Sequence, residues 1–225
     1  MLNYIIIYGL MLFYYAMFLL AITTGYKNCS GQLKDILSGK GEPGVLFIRM
    51  IAGIFFLGIC TITISVKRNI DSEIFTPAWC EYQTSVWILI AAAIITGTLS
   101  ATKKIFPADN SNLSLPSCLA LSFIFIRTLF LIVYEFFFRG VMLFVMAEDF
   151  GLAAAVIINL FLYVLAHWYD KKQRYGAVIM GAILCGVSIY YHSVWPATII
   201  HLSLALSHEI TLLINNKSLI KKSWP

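Results

Sequence analysis

The stretch LIVYEFFFRG (residues 131–140) places a carboxylate and a guanidinium inside one of the most apolar parts of the chain. Glu135 and Arg139 are separated by one helical turn, so on a helix they share a face and can pair. An isolated charge in hydrocarbon costs several kcal/mol, and pairing lowers that cost for both groups. The stretch therefore predicts a membrane-spanning helix with a buried ion pair.

The composition of the whole chain agrees with a membrane setting for this helix. Of 225 residues, 60% are hydrophobic and 12% are charged, whereas a soluble domain has about 45–50% apolar and about 25% charged residues. The sequence therefore predicts an all-α, polytopic integral membrane protein. The net charge of +5 does not indicate a nucleic-acid partner, because in such a protein the positive charges mark loop orientation.

Apolar stretches long enough to cross the hydrocarbon core, about 20 residues, occur seven times along the chain. The fourth is longer than one crossing requires, so we expect it to tilt, kink or project. The predicted spans are 3–25, 45–66, 84–102, 117–147, 151–169, 175–191 and 194–214.

Lysine and arginine are concentrated in alternate connections, which all lie on one side of the membrane. Cytoplasmic loops carry such an excess, so we expect an outside N-terminus and a cytoplasmic C-terminus. The residues concerned are Lys27, Lys34, Lys40, Arg49, Lys103, Lys104, Lys171, Lys172, Arg174, Lys217, Lys221 and Lys222.

Two imidazoles join the ion pair in the second half of the chain. His167 ends the fifth predicted span and His201 lies in the seventh. Ionisable groups inside a membrane are candidates for function. Arg127, two turns before Glu135, is too far away to pair with it, and we interpret it as a packing or snorkelling group. The helix faces that carry the histidines also carry Asn159, Tyr163, Ala205, His208 and Glu209, of which the last two are interpreted as interfacial.

These residue types support hydrolytic chemistry. A carboxylate and a neutral imidazole can activate water, and a second imidazole can hold a developing oxyanion. Glu135, His167 and His201 are also a plausible zinc ligand set, so a metal-dependent and a metal-free mechanism both fit. Two other interpretations are a structural ion pair with interfacial histidines and a transporter with a proton relay. The chain has no repeated halves or paired broken helices, which argues against the transporter.

The order and spacing of these residues resemble the CPBP family. This family comprises type II CAAX prenyl endopeptidases, bacteriocin-processing and immunity proteins, and lysostaphin-resistance-protein-A-like membrane proteases. Its signatures on successive helices are E-E-x-x-x-R, F-x-x-x-H and H-x-x-x-N. They are matched by YEFFFRG (134–140), YVLAH (163–167) and HLSLA (201–205). The resemblance covers 117–214 and implies a protease core there. We interpret 1–102 as generic transmembrane helices and, from the lysine distribution, 215–225 as a cytoplasmic basic tail.

The resemblance also implies a function and the roles of individual residues. The protein would be an intramembrane endopeptidase in a bacterial plasma membrane, with membrane lipid and a peptide or protein substrate as partners. Glu135 with His167 would activate the water, Arg139 would orient Glu135, and His201, helped by His208, would stabilise the oxyanion. The resemblance leaves both a zinc-dependent and a zinc-free glutamate mechanism open. No pattern specifies an oligomeric state.

Three positions depart from the family pattern. Tyr134 replaces the first, usually catalytic, glutamate; Tyr163 replaces a phenylalanine; and Ala205 replaces an asparagine credited with oxyanion binding. Together with His208, these residues are candidate substrate or oxyanion contacts. Two hypotheses follow. In one, a single glutamate suffices and the enzyme is active. In the other, the site is degenerate and the protein is a membrane scaffold or a bacteriocin-immunity factor.

The depth of the three ionisable groups is a further test of a shared site. By the predicted spans, His167 lies near the cytoplasmic end, Glu135 lies in the middle of the membrane and His201 lies nearer the outside. A general base must be within hydrogen-bond reach of the water it activates. A single site therefore requires a kink or a shifted helix.

Overall fold

The structure, a computed structural model, describes residues 2–23, 33–38, 41–77, 82–102, 104, 115–168, 171–217 and 220–221. It confirms the predicted all-α polytopic architecture. Six helices are long and apolar enough to cross a membrane. Each of them exposes large apolar side chains, as lipid-facing helices do. The chain is therefore an integral membrane protein.

The described residues form nine α-helices. A 3-10 turn spans Ser72–Phe75, and a π-helical segment spans Phe136–Met142. The α-helices are α1 (Leu2–Thr23), α2 (Leu33–Leu37), α3 (Pro43–Arg68), α4 (Thr84–Thr102), α5 (Ser117–Glu135), α6 (Leu143–Phe150), α7 (Leu152–Leu165), α8 (Lys171–Tyr191) and α9 (Trp195–Asn215). Two-residue strands, β1 (Leu115–Pro116) and β2 (Ile220–Lys221), pair in parallel.

The fourth predicted span is one continuous helical rod, Ser117–Phe150, of 34 residues. It consists of α5, the π-helical segment and α6. The segment FFFRGVM begins directly after Glu135 and contains Arg139. A π-helical turn inside an α-helix is uncommon and is often found at functional sites. The long helix therefore changes its winding at the ion pair, where the sequence predicted a tilt, a kink or a projection.

The fifth predicted span, 151–169, is shorter than a full crossing. Helix α7 has 14 residues, about 21 Å at 1.5 Å per residue, against the ~30 Å of the hydrocarbon core. Gly151 separates α6 from α7 with φ +82°, a conformation that residues with a side chain rarely adopt. At the other end the chain leaves the helix in a turn in which His167 N–H donates to Val164 O. His167 therefore follows a helix too short to span.

Helix α9 begins beside the middle of the long helix rather than at its end. The indole of Trp195 packs edge-on against Phe136, with 5.4 Å between ring centroids. Its Nε1 donates to Phe75 O at 2.7 Å, and Val194 N–H donates to Ile74 O. The 3-10 turn thus anchors the start of α9 at the level of the π-helical segment. This arrangement brings His201 to the depth of Glu135.

Helices α4 and α9 approach closely because α4 has a glycine at the crossing. A Cβ at Gly97 would overlap Leu204 O and Ser207 Oγ. Small residues allow this kind of close helix–helix packing in membranes. Together with α5, α7 and α8, these helices enclose the polar residues of the second half of the chain.

The orientation and domain boundaries predicted from the sequence stay predictions. Several residues used for them lie outside the described residues, namely Lys27, Lys40, Lys103 and Lys222. The described cysteines, Cys60, Cys118 and Cys185, are free thiols.

Candidate active site

The centre of the site is a hydrogen bond between the long helix and α9. His201 Nδ1 donates to Glu135 Oε1 at 2.6 Å. The other carboxylate oxygen, Oε2, lies 3.4 Å from Arg139 Nε, and both members of this ion pair are 0% exposed. One glutamate is thus held from two sides, by an imidazole and by a guanidinium. The predicted pairing of Glu135 with Arg139 is present.

The hydrogen bond also fixes the tautomer of His201. A carboxylate can only accept, so Nδ1 carries the hydrogen and the neutral ring has its lone pair on Nε2. The ring is almost buried, with its side chain 11% exposed, and His201 lines a cavity. His201 can therefore act as a base through Nε2, while Glu135 holds the ring through Nδ1.

Arg139 is held by the surroundings of the π-helical segment. Its guanidinium lies 4.1 Å from the ring centroid of Tyr163, a distance at which a cation is attracted to the aromatic face. Its Nη2 also donates to Gly181 O at 3.3 Å. These contacts position the charge that faces Glu135.

Asn159 fixes the π-helical segment from α7. Its Nδ2 donates to Phe138 O at 2.6 Å, and its Oδ1 accepts from Cys185 Sγ at 3.4 Å. The sequence placed Asn159 on the face of His167 but did not reveal this supporting role. The sequence contains one indication of this role: Asn159 is an amide side chain within an apolar helix, and a buried amide usually has a hydrogen-bond partner.

His167 lies in the same cluster of rings as His201. Its Nδ1 donates to Tyr163 O at 2.8 Å, so its neutral ring also has the lone pair on Nε2. The centroid of the Tyr134 ring is 6.3 Å from that of His167 and 6.2 Å from that of His201. The two imidazoles thus flank one phenol ring, although the sequence placed them at different depths.

A cavity of about 850 Å³ lies next to these rings, within the usual range for small-molecule sites. Glu135 and Arg139 do not line it and lie behind its wall. The residues predicted from sequence that do line it are Tyr134, Tyr163, His167, His201, Ala205 and His208. The structure therefore separates the predicted site into an outer set that faces the cavity and an inner pair that supports it.

A second group of charged residues lines the same cavity further along α9. Arg127 Nε lies 3.0 Å from Glu209 Oε1, and Lys104 Nζ lies 3.0 Å from His208 Nε2. Arg127, which the sequence analysis interpreted as a packing or snorkelling group, thus pairs with Glu209 and links α5 to α9. His208 is seven residues from His201, about 10 Å along the helix axis, so it does not join the Glu135–His201 pair.

The zinc ligand set does not fit this geometry. Within the described part of the chain, no group of three or more His, Cys, Asp or Glu residues could hold a metal ion. The two oxygens of Glu135 already face His201 and Arg139, and His201 uses Nδ1 for that contact. A metalloprotease mechanism through Glu135, His167 and His201 therefore gains no support.

The departures from the family pattern fall on the cavity wall. The ring of Tyr134 is 3% exposed, and its hydroxyl has no hydrogen-bond partner among the described residues. Ala205 lies one turn beyond His201 and has no polar group to offer. The wall thus has a phenol where the family has a carboxylate, and a methyl group where it has an amide.

Comparison with known families agrees with the resemblance seen in the motifs. A family model described as type II CAAX prenyl endopeptidase Rce1-like matches residues 115–206. This segment contains Glu135, Arg139, His167 and His201, whereas Glu209 lies beyond it. Comparisons with curated proteins and with solved structures gave no match. Residues 115–206 are therefore similar to the type II CAAX prenyl endopeptidase Rce1-like family, in agreement with the CPBP resemblance.

Proposed function

We propose that the protein is a membrane endopeptidase that hydrolyses peptide bonds with a water activated by the Glu135–His201 pair. The observation that carries the proposal is the 2.6 Å hydrogen bond from His201 Nδ1 to Glu135 Oε1 at the wall of the cavity. The same logic operates wherever a carboxylate orients a histidine and stabilises the imidazolium that forms during proton transfer. The family match supports the reaction class.

In this proposal Glu135 acts through His201 and does not contact the water. Glu135 is 0% exposed and does not line the cavity, so the contacts favour a different assignment from the one implied by the resemblance. His201 Nε2 takes the proton of the attacking water and later gives it to the leaving amine. His167 Nε2 accepts a second hydrogen bond from the same water and orients it. Arg139 neutralises and positions the carboxylate.

A second function rests on Tyr134. Its aromatic ring occupies the wall between the two imidazoles, where the family has its first glutamate. If hydrolysis requires that glutamate, the protein binds a peptide or protein partner in the cavity without cleaving it. It then serves as a membrane scaffold or a bacteriocin-immunity factor.

The test is hydrolysis of defined peptides by the purified, detergent-solubilised protein. The probes are a fluorogenic farnesylated peptide ending in a C-a-a-X sequence and an unprenylated transmembrane peptide. We expect the wild type to cleave one of them, and His201→Ala, Glu135→Gln and His167→Ala to lose cleavage. A folded wild type that cleaves neither peptide supports the non-proteolytic function instead.

A matched control is available in His192. Its ring packs against Phe144 at 4.9 Å, away from the cavity, and its backbone has φ +46°. Asparagine tolerates that conformation, so His192→Asn removes an imidazole without straining the chain. We expect this variant to cleave at the wild-type rate. If it is as impaired as His201→Ala, loss of activity reports general damage to the protein.

We also propose that the protein resides in a bacterial plasma membrane with its N-terminus outside and its C-terminus in the cytoplasm. The asymmetry of lysine and arginine among the loops supports this orientation. Fusion of a reporter that is active only in the cytoplasm to the C-terminus tests it. Activity of the reporter only when it is fused to the N-terminus contradicts it.

A further inference from the structure

Amide hydrolysis at this site needs a hydrogen-bond donor that neither imidazole supplies. His201 directs its Nδ1 hydrogen to Glu135, and His167 directs its Nδ1 hydrogen to Tyr163 O. The neutral rings therefore present only lone pairs on Nε2. Ala205, which stands where the resembled family has an asparagine, has no donor either. Without another donor, the oxygen that becomes negatively charged during the reaction is not stabilised.

The hydroxyl of Tyr134 is an unpartnered hydrogen-bond donor beside the two imidazoles. Tyr134 lines the cavity, and its ring centroid is 6.2 Å from that of His201 and 6.3 Å from that of His167. The hydroxyl is buried and has no hydrogen-bond partner in the part of the chain that the structure describes. A buried, unpartnered polar group in a folded protein calls for an explanation, and a role in catalysis is one.

The ring of Tyr134 is fixed in place by other aromatic rings. The nearest are Phe138, with 4.6 Å between centroids, and Phe130 and Tyr163, each at 5.6 Å. A donor held by rigid packing needs little reorganisation when charge develops next to it, which is the requirement for an effective oxyanion hole.

We propose that Tyr134 donates its hydroxyl hydrogen bond to the oxyanion of the tetrahedral intermediate. It thereby supplies the donor that Ala205 lacks. The proposal rests on the endopeptidase function proposed above. In it, the tyrosine that replaces the first glutamate takes part in catalysis and is not a sign of lost activity.

The steps balance as follows. The water oxygen attacks the carbonyl carbon of the scissile bond while His201 Nε2 takes one water proton, and the carbonyl π electrons move onto oxygen. Tyr134 O–H donates to that oxygen and keeps its proton. When the intermediate collapses, the C–N bond breaks, and the amine nitrogen takes the proton from His201. The products are a carboxylic acid and an amine.

The experiment compares Tyr134→Phe with the wild type on the farnesylated C-a-a-X peptide and on the transmembrane peptide. Phenylalanine keeps the ring and its packing and removes only the hydroxyl. Loss of one oxyanion-hole donor lowers kcat by about 10²- to 10³-fold, so we expect at least about 100-fold for Tyr134→Phe with KM within threefold. We expect thermal unfolding at the wild-type temperature or above it.

Two further variants make the test specific. Tyr175→Phe removes a hydroxyl from a tyrosine that is 77% exposed, and it is expected to keep the wild-type kcat. Ala205→Asn in the Tyr134→Phe background restores an amide donor at the cavity wall, and kcat is expected to recover by about tenfold.

Three outcomes overturn the proposal. If Tyr134→Phe keeps kcat within threefold of an active wild type, Tyr134 is not the donor and the endopeptidase function stands. If Tyr163→Phe loses kcat while Tyr134→Phe does not, the neighbouring tyrosine is the donor. If the folded wild type cleaves neither peptide, the endopeptidase function and this inference fall together.

Discussion

Of the arginine–glutamate pairs in the described part of the chain, two lie beside the cavity, one behind its wall and one on it. Glu135 and Arg139 come from one helix and are 0% exposed. Arg127 and Glu209 come from α5 and α9, and their side chains are 27% and 12% exposed. The two pairs contain the same chemical groups at similar separations, 3.4 Å and 3.0 Å.

The difference between the pairs shows that access to the cavity decides what a buried charge can do. The inner pair has no contact with the cavity, so it acts only on the group that reaches it, His201. The outer pair faces the cavity, where water can solvate it, and it joins two helices. Removing one partner of a fully buried pair costs about 3–5 kcal/mol. We expect a smaller cost for the outer pair, because the side chain of Arg127 is 27% exposed.

The largest expected effect comes from neutralising the inner glutamate. Glu135→Gln keeps the shape of the side chain but removes the charge that orients His201. The amide can also stabilise the wrong tautomer of His201. We expect hydrolysis of the farnesylated peptide to fall by about 10³- to 10⁴-fold. In the matched variant Glu209→Gln, we expect less than about tenfold. Initial rates measured at saturating peptide check both. Equal losses in the two variants contradict the distinction between inner and outer pair.

The next effect concerns stability. Arg139→Lys removes the planar group that lies over Tyr163 and reaches Gly181 O, and lysine cannot replace that geometry. We expect the free energy of unfolding to fall by about 2–4 kcal/mol, and to fall less for Arg127→Lys, because the side chain of Arg127 is partly exposed. Thermal unfolding in detergent gives the comparison. If Arg127→Lys lowers the unfolding temperature more than Arg139→Lys does, the prediction is wrong.

The two pairs should also differ in how their contribution to stability depends on salt. Ions in the cavity screen the outer pair, whereas the inner pair is out of their reach. Raising the ionic strength from about 0.1 M to 1 M should therefore shrink the destabilisation caused by Arg127→Ala and leave that of Arg139→Lys unchanged. Unfolding temperatures of both variants relative to wild type, measured at the two salt concentrations, check this. Equal sensitivity to salt means that water and ions reach the inner pair.

The smallest expected effect on the rate of hydrolysis is that of removing metal ions. The oxygens of Glu135 are engaged by His201 and Arg139, so the inner pair has no free face for a metal. Treatment with 1,10-phenanthroline should leave the rate of hydrolysis within about twofold, since none of the proposed steps uses a metal. If the chelator inactivates the protein and added zinc restores activity, the conclusion that Glu135 does not bind a metal is wrong.

Part of the site could be predicted because it depends on local periodicity. Glu135 and Arg139 pair as their four-residue separation predicts, and the motifs around His167 and His201 identified the family of residues 115–206. The predicted depths of the two histidines could not be right. They assumed that every apolar stretch crosses the whole bilayer, whereas α7 has only 14 residues and α9 begins beside Phe136.

Other features depend on residues far apart in the chain. Arg127 and Glu209 are 82 residues apart, and no sequence pattern links them. The π-helical winding over Phe136–Met142 depends on tertiary partners such as Asn159, whose amide donates to Phe138 O. Sequence periodicity assumes a regular helix and therefore gives no sign of such a change in winding.

Three properties could be predicted without the structure: the chain is an all-α membrane protein, Glu135 and Arg139 share a helix face, and the second half carries the motifs of a membrane-protease family. These properties follow from composition, helical period and short-range spacing. The packing of the helices was needed to show which groups face the cavity, that Glu135 lies behind His201, and that Tyr134 lies between two imidazoles. The reason is physical: exposure and hydrogen-bond partners depend on how separate helices pack, and packing is not encoded in the spacing along any one of them.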